Sequence, residues 1–63
     1  MERGWIKIYE SADAAMSELM RQRLEENNIY EVLLSRKDGG LGVGITELYV
    51  QESNKEAALK IVK

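Results

Sequence analysis

A glycine-rich segment with two cationic residues before it could bind an anion. Glycines let backbone N–H groups approach a phosphate closely. The run from Gly39 to Gly44 leads into a predicted strand rather than a helix, and it lacks the Lys-Ser or Lys-Thr of a P-loop. A flexible hairpin connection would explain the same residues. The hypothesis of ligand or partner contact concerns Arg36, Lys37, Gly39, Gly40, Gly42 and Gly44.

A second candidate site is a set of mostly aromatic side chains on alternating positions of predicted strands. Exposed aromatic patches usually mark contacts with other molecules. We expect this interaction face to carry Trp5, Lys7, Tyr9, Leu33 and Tyr49. Packing in a homo-oligomer, with a dimer as the first expectation, is one interpretation; another protein partner or a small anionic ligand is the other.

The composition argues against catalysis. The chain has neither His nor Cys, so the usual general bases and soft-metal ligands are missing. The serines at positions 11 and 53 are explained as helix caps, and the carboxylate pairs are typical of solvated surface. We therefore expect a protein that is not an enzyme, with no catalytic residue, metal site or cofactor.

Length and charge restrict the remaining classes. A chain of 63 residues forms one domain, here residues 1–63, with a marginal core that oligomerisation would stabilise. The net charge is −2 and the basic residues are scattered, which disfavours nucleic-acid binding. No run approaches the roughly 20 apolar residues of a membrane span, so we expect a cytoplasmic protein.

The first half of the chain reads as a strand followed by a helix. Residues 5–9 alternate, with Ile6 and Ile8 predicted to face the core. Ser11 is the expected helix N-cap, and Asn27-Asn28 the expected end, because Asn tolerates the left-handed conformation. The predicted buried helix face is Ala12, Met16, Leu19, Met20 and Leu24.

The second half reads as two strands and a closing helix. Residues 29–35 are rich in strand formers, with Val32 and Leu34 predicted inward. A loop is predicted over residues 36–44, then a strand over 46–51 with Leu48 and Val50 inward. The spacing from Ser53 to Glu56 is that of a capping box. The helix that follows is predicted to bury Ala58, Ile61 and Val62.

These elements predict an α+β domain with a truncated ferredoxin-like order, β-α-β-β-α. A right-handed crossover would place both helices on one face of a three-stranded antiparallel sheet. With the last strand in the middle, the other face stays open. That face would carry Trp5, Lys7, Tyr9, Glu31, Leu33, Ser35, Glu47, Tyr49 and Gln51.

The same pattern resembles the prokaryotic signal-transducing protein family, small bacterial domains of unestablished function. The resemblance lies in the segments 6–9, 11–14, 24–29, 48–50 and 54–58. It implies a fold similar to the nitrogen-regulatory PII proteins, which bind nucleotides and contact partners through a long loop. Here the corresponding loop, residues 36–44, is much shorter, and we identify no candidate for a fourth strand after Val62.

Two functions of different classes follow from these expectations. The first is a regulatory or signal-transducing binding module that recognises a protein or small molecule. The alternative is a structural self-association domain without a small-molecule ligand. A ligand that binds only the folded state raises its stability, so a thermal-shift screen separates the two.

Overall fold

The part of the chain that the structure describes forms three strands and two helices in the predicted order. The structure is a computed structural model that describes residues 4–38 and 43–62. Its elements are β1 (Trp5–Ser11), α1 (Ala14–Glu26), β2 (Glu31–Asp38), β3 (Val43–Gln51), a 3₁₀ turn (Glu52–Asn54) and α2 (Lys55–Val62).

The three strands form one antiparallel sheet in the order β1-β3-β2. The last strand therefore lies in the middle, and both helices contribute to a core on one sheet face. This confirms an α+β fold consistent with a truncated ferredoxin-like domain. No helix among the described residues is long and apolar enough to cross a bilayer.

The core joins the two helices to the middle of the sheet. Leu24 of α1, Leu48 and Val50 of β3, and Ala58 of α2 are fully buried, and Ile29 packs with them. Leu48 and Val50 are two residues apart on β3, so both point to the helix face. The inward direction predicted for these two residues is confirmed.

The N-terminus of α1 is capped by Asp13 rather than by Ser11. The Asp13 carboxylate accepts hydrogen bonds from the N–H groups of Ala15, at 3.0 Å, and Met16, at 3.3 Å. Ser11 still ends β1, and its hydroxyl accepts the Asp13 N–H at 2.9 Å. The prediction of Ser11 as the cap was wrong because the strand continues to this residue.

Asn28 ends α1 in the left-handed conformation, as predicted, with φ of 60°. The Ile29 N–H donates to the Leu24 carbonyl at 2.9 Å, and the Asn28 N–H donates to the Glu25 carbonyl at 3.0 Å. This pair of bonds is a Schellman motif. It turns the chain so that Ile29 enters the core beside Leu24.

The buried face of α1 differs in part from the predicted one. Met20 and Leu24 are buried as expected, but Met16 is 40% exposed and Leu19 is 39% exposed. Ser17 takes the central position, because its hydroxyl forms a hydrogen bond with the Thr46 hydroxyl on β3. A small polar residue thus lets the helix lie close to the sheet.

The segment after β3 becomes helical earlier than the capping-box spacing predicts. A 3₁₀ turn already begins at Glu52, so Ser53 lies inside the helical segment rather than before it. The Glu52 N–H donates to the Gly4 carbonyl at 2.8 Å, which ties this turn to the start of β1. The predicted N-cap role of Ser53 was therefore wrong.

Candidate interaction surface

A β-bulge at Ile8 determines which side chains of β1 reach the open sheet face. Lys7 pairs with Tyr49 and Tyr9 pairs with Leu48, which leaves Ile8 as an extra residue. Directly opposed residues of antiparallel strands lie on the same face, so Tyr9 shares the helix face with buried Leu48. Tyr9 packs against the core. Its predicted place on the interaction face was wrong because the bulge shifts the alternation by one residue.

The side-chain alternation of β2 is also opposite to the predicted one. Leu33 pairs with Leu48 and Glu31 pairs with Val50, so both point to the helix face. Leu33 packs against the core and does not belong to the open face, which corrects its predicted place. Val32 and Leu34 are outward instead, and Leu34 is 38% exposed.

We call the sheet surface opposite the two helices the open face. Within the described residues, 4–38 and 43–62, neither helix covers this surface. Trp5, Lys7 and Tyr49 lie on it, as predicted. The register assigns to the open face Trp5, Lys7, Glu10, Val32, Leu34, Arg36, Ile45, Glu47, Tyr49 and Gln51. Tyr30, immediately before β2, joins this face through its ring contact with Trp5. Its side chains on β2 are mainly apolar, and those on β1 include two charges.

An aromatic pair marks one end of the open face. The ring centroids of Trp5 and Tyr30 are 5.9 Å apart with an interplanar angle of 59°, a tilted arrangement. Tyr30 is 71% exposed. Sequence reasoning missed Tyr30, although its position two residues before outward Val32 was a usable signal once the alternation of β2 is known.

A nearly buried carboxylate lies at the centre of the open face. The side chain of Glu47 is 6% exposed, and its Oε2 lies 3.4 Å from Lys7 Nζ and 3.7 Å from Arg36 Nη2. The Tyr49 hydroxyl donates to Glu47 Oε1 at 3.2 Å. Two cations and one hydroxyl, each from a different strand, therefore face this nearly buried carboxylate, as its burial requires.

Lys7 also pairs with Glu10, at 2.8 Å. The hydrogen bond and charge of Glu10 raise the pKa of Lys7, with a smaller contribution from Glu47. The hydrogen bond and charge of Lys7 lower the pKa of Glu10. Both groups are therefore held in their charged forms beside Glu47.

The glycine-rich candidate is only partly described by the structure. Arg36 pairs with Ile45 and Lys37 with Gly44, so these residues extend the strands, and the predicted loop over 36–44 was too long. The pairing of β2 with β3 continues through Gly44 because the hydrogen bonds join backbone groups and require no side chain. Gly39, Gly40 and Gly42 lie outside the described residues. Within the described part, Arg36 faces Glu47 at 3.7 Å.

A second charged cluster lies on the helix side of β2. Arg21 Nε donates to Glu31 at 2.9 Å, and the same guanidinium lies 2.8 Å from Glu18 and 3.4 Å from Glu25. Burial raises the pKa of Glu31, and the Arg21 hydrogen bond opposes this rise. The hydrogen bond from Arg21 allows Glu31 to lie on the helix face of the sheet. Among residues 4–38 and 43–62, no three carboxylates are grouped to hold a metal ion.

An open depression of about 470 Å³ lies beside this cluster. It is lined by Arg21, Glu25, Asn28, Ile29, Tyr30 and Glu31. Arg21 already contacts three carboxylates, so its charge is compensated within the chain. We therefore do not choose the depression as the candidate site. The open face is the stronger candidate, as a surface for protein contact.

No protein-family model matches the chain, and comparisons with curated proteins and with solved structures give no match either.

Proposed function

We propose that the protein is a small cytoplasmic regulatory binding module that contacts another protein through its open face. The observation that carries this proposal is the uncovered apolar surface formed by Tyr30, Val32 and Leu34 together with Trp5 and Tyr49. Tyr30 is 71% exposed and Leu34 is 38% exposed. Rigid aromatic side chains on a sheet are frequent anchors of protein contacts.

The charges on the open face support contact with a protein. Glu47, Lys7 and Arg36 already compensate each other, so an apolar partner surface meets a paired cluster rather than an isolated charge. The Lys7 and Arg36 side chains remain 44% and 66% exposed. They can therefore also form a polar rim around the apolar contact.

A photo-cross-linking experiment tests this proposal in the source cells. A benzoyl-phenylalanine residue replaces Tyr49 at the centre of the face, and the matched control carries it at exposed Gln22 on α1. We expect a discrete adduct from position 49 and none from position 22. Equal patterns at both positions, or no adduct at position 49, would contradict an interaction through the open face.

The mass of the adduct identifies the partner class. A product of one chain plus a different protein supports the proposed module, whereas a product of two copies supports the self-association alternative. A thermal-shift screen with nucleotides and metabolites tests the small-molecule version, because binding to the folded state raises the melting temperature with ligand concentration.

A further inference from the structure

The outer edge of β2 is available for pairing with another strand. Within the described residues β2 pairs only with β3, because the strand order places it at the end of the sheet. The register from Glu31↔Val50 to Asp38↔Val43 has no shift, so the backbone stays regular along the whole strand. A regular strand edge presents N–H and C=O groups that another strand can pair with.

The edge of β1 is less suited to such pairing. Its ladder is interrupted at Ile8, and Lys7 lies next to the bulge. A bulge is one feature by which natural sheets prevent pairing at an edge, and it distinguishes the two strands, since each of them carries a lysine. The two edges of this sheet therefore differ, and among residues 4–38 and 43–62 no strand pairs with the outer edge of β2.

The side chains along β2 are complementary to a second copy of themselves. If two copies pair antiparallel about a two-fold axis at Leu33, Val32 lies opposite Leu34 of the second copy. Tyr30 then lies opposite Arg36, which allows a cation–π contact, and Glu31 lies opposite Ser35. A shift of two residues in one direction would place Val32 opposite Arg36 and lose both matches. The opposite shift would keep an apolar pair at Val32 but place Arg36 opposite Asn28, before the start of β2.

We propose that two copies of this chain pair antiparallel along β2 about this axis and form one continuous sheet. The proposal goes beyond the proposed function, because it takes up the self-association alternative and uses the edge of the open face where Tyr30, Val32 and Leu34 lie. It names the partner as a second copy and moves the contact from the centre of the face to its β2 edge. Three strands from each copy would contribute to the joined sheet.

The dimer should depend on concentration. Pairing of one strand edge buries less than the roughly 1,600 Å² of total surface that a stable interface uses. In sedimentation equilibrium, the average mass of the parent chain should therefore rise from that of one chain towards that of two chains as the protein concentration increases. A parent that remains monomeric at about 1 mM would overturn the proposal.

Two double variants test the proposed register. In the first, Val32→Lys with Leu34→Lys places like charges directly opposite each other; in the second, Val32→Glu with Leu34→Lys places opposite charges there. We expect the dissociation constant to rise about ten-fold or more for the first, and to stay near the parent value for the second. Equal weakening by both would overturn the register. Both changed positions face outward, and circular dichroism checks that both variants fold.

Disulfide cross-linking gives an independent test, because the chain has no Cys of its own. Opposed residues have Cα atoms about 4.5–5.5 Å apart, within the range that a disulfide bridges. A mixture of the Val32→Cys and Leu34→Cys variants should form a linked dimer, and either variant alone should form little. Equal linking in all samples, or linking that a Gln22→Cys control matches, would overturn the proposal.

Tyr49→Lys separates this proposal from the proposed function. Tyr49 lies on the central strand, away from the β2 edge. We expect the dimer to survive this substitution. A dimer that is lost with Tyr49→Lys but retained in the like-charge variant would overturn edge pairing and leave the open face as the contact surface.

Discussion

The Lys7 ammonium lies 2.8 Å from the Glu10 carboxylate, although residues three apart on a regular strand point to opposite faces. The bulge at Ile8 accounts for this contact, because the extra residue returns Glu10 to the face that carries Lys7. On the neighbouring strand, Tyr49 and Glu47 lie opposite this pair. A single backbone irregularity thus assembles the charged centre of the open face.

Glu10→Gln should reduce the acid sensitivity of the protein. Lys7 lowers the pKa of Glu10, and Arg36 and Glu47 also face this carboxyl. Because the folded-state pKa lies below the unfolded one, the stabilisation is present above the ordinary pKa and is lost as pH falls through the lowered pKa. Urea unfolding from about pH 7 to about pH 3 should show a smaller decrease for the variant. Glu26→Gln on α1 is the control, and equal slopes for all three proteins would contradict the pairing.

Glu47→Ala should destabilise the protein more than Glu10→Ala. Glu47 is 6% exposed and accepts the Tyr49 hydroxyl at 3.2 Å, in addition to its two cations. We expect a loss of about 1–2 kcal/mol in the free energy of unfolding, because the cations are partly solvated. Glu47→Gln keeps one acceptor oxygen and should lose less. A value for Glu47→Ala near that of Glu10→Ala, measured by urea unfolding, would argue against a central role.

Tyr30→Ala should change the environment of the single tryptophan. Tyr30 and Trp5 have ring centroids 5.9 Å apart, and the chain contains one Trp, so the tryptophan emission comes from a single indole whose environment includes this contact. We expect a shifted emission maximum and a loss of about 0.5–1 kcal/mol. Tyr30→Phe keeps the ring and should resemble the parent. Emission that is unchanged in the alanine variant would exclude the aromatic contact in solution.

Asn28 should be replaceable by glycine but not by alanine. Its φ of 60° lies in the left-handed region, where a Cβ atom is unfavourable and the Asn side chain partly compensates. Asn28→Ala should cost about 1 kcal/mol, whereas Asn28→Gly should be neutral or stabilising. Thermal unfolding of the two variants measures the difference. Equal melting temperatures would place the end of α1 elsewhere.

Asp13→Ala should destabilise the protein more than Ser53→Ala. Asp13 accepts two backbone N–H groups at the start of α1, so its loss should cost about 1 kcal/mol. Ser53 lies inside a 3₁₀ turn, and its replacement should stay within about 0.5 kcal/mol. Denaturant melts of both variants make the comparison. A larger effect at Ser53 would contradict this prediction and support the capping box that the spacing of Ser53 and Glu56 predicts.

Side-chain direction was predictable for β3 and unpredictable for β2, for a simple reason. In β3, Leu48 and Val50 alternate with Glu47 and Tyr49, so the pattern itself distinguishes the faces. Residues 32–34 of β2 are all apolar, and either alternation would be acceptable. The structure resolves this by turning Glu31 inward, where Arg21 of α1 pairs with it.

The remaining differences also come from contacts between distant residues. Ser17 replaces Met16 on the buried face of α1 because Thr46, distant in sequence, supplies a hydroxyl partner. No glycine lies next to Ile8, so the sequence does not indicate a bulge at this position. The interaction face was therefore predicted at Trp5, Lys7 and Tyr49 and missed at Tyr30, Val32 and Leu34.

The central position of β3 also has a consequence for biosynthesis. β3 is the last of the three strands to leave the ribosome, and it is the neighbour of both others. β1 therefore cannot complete its pairing until Gln51 has been synthesised, because its partner positions run from Thr46 to Gln51. Among the described elements, α1 can form earlier through local contacts, whereas both pairs of strands must wait for β3.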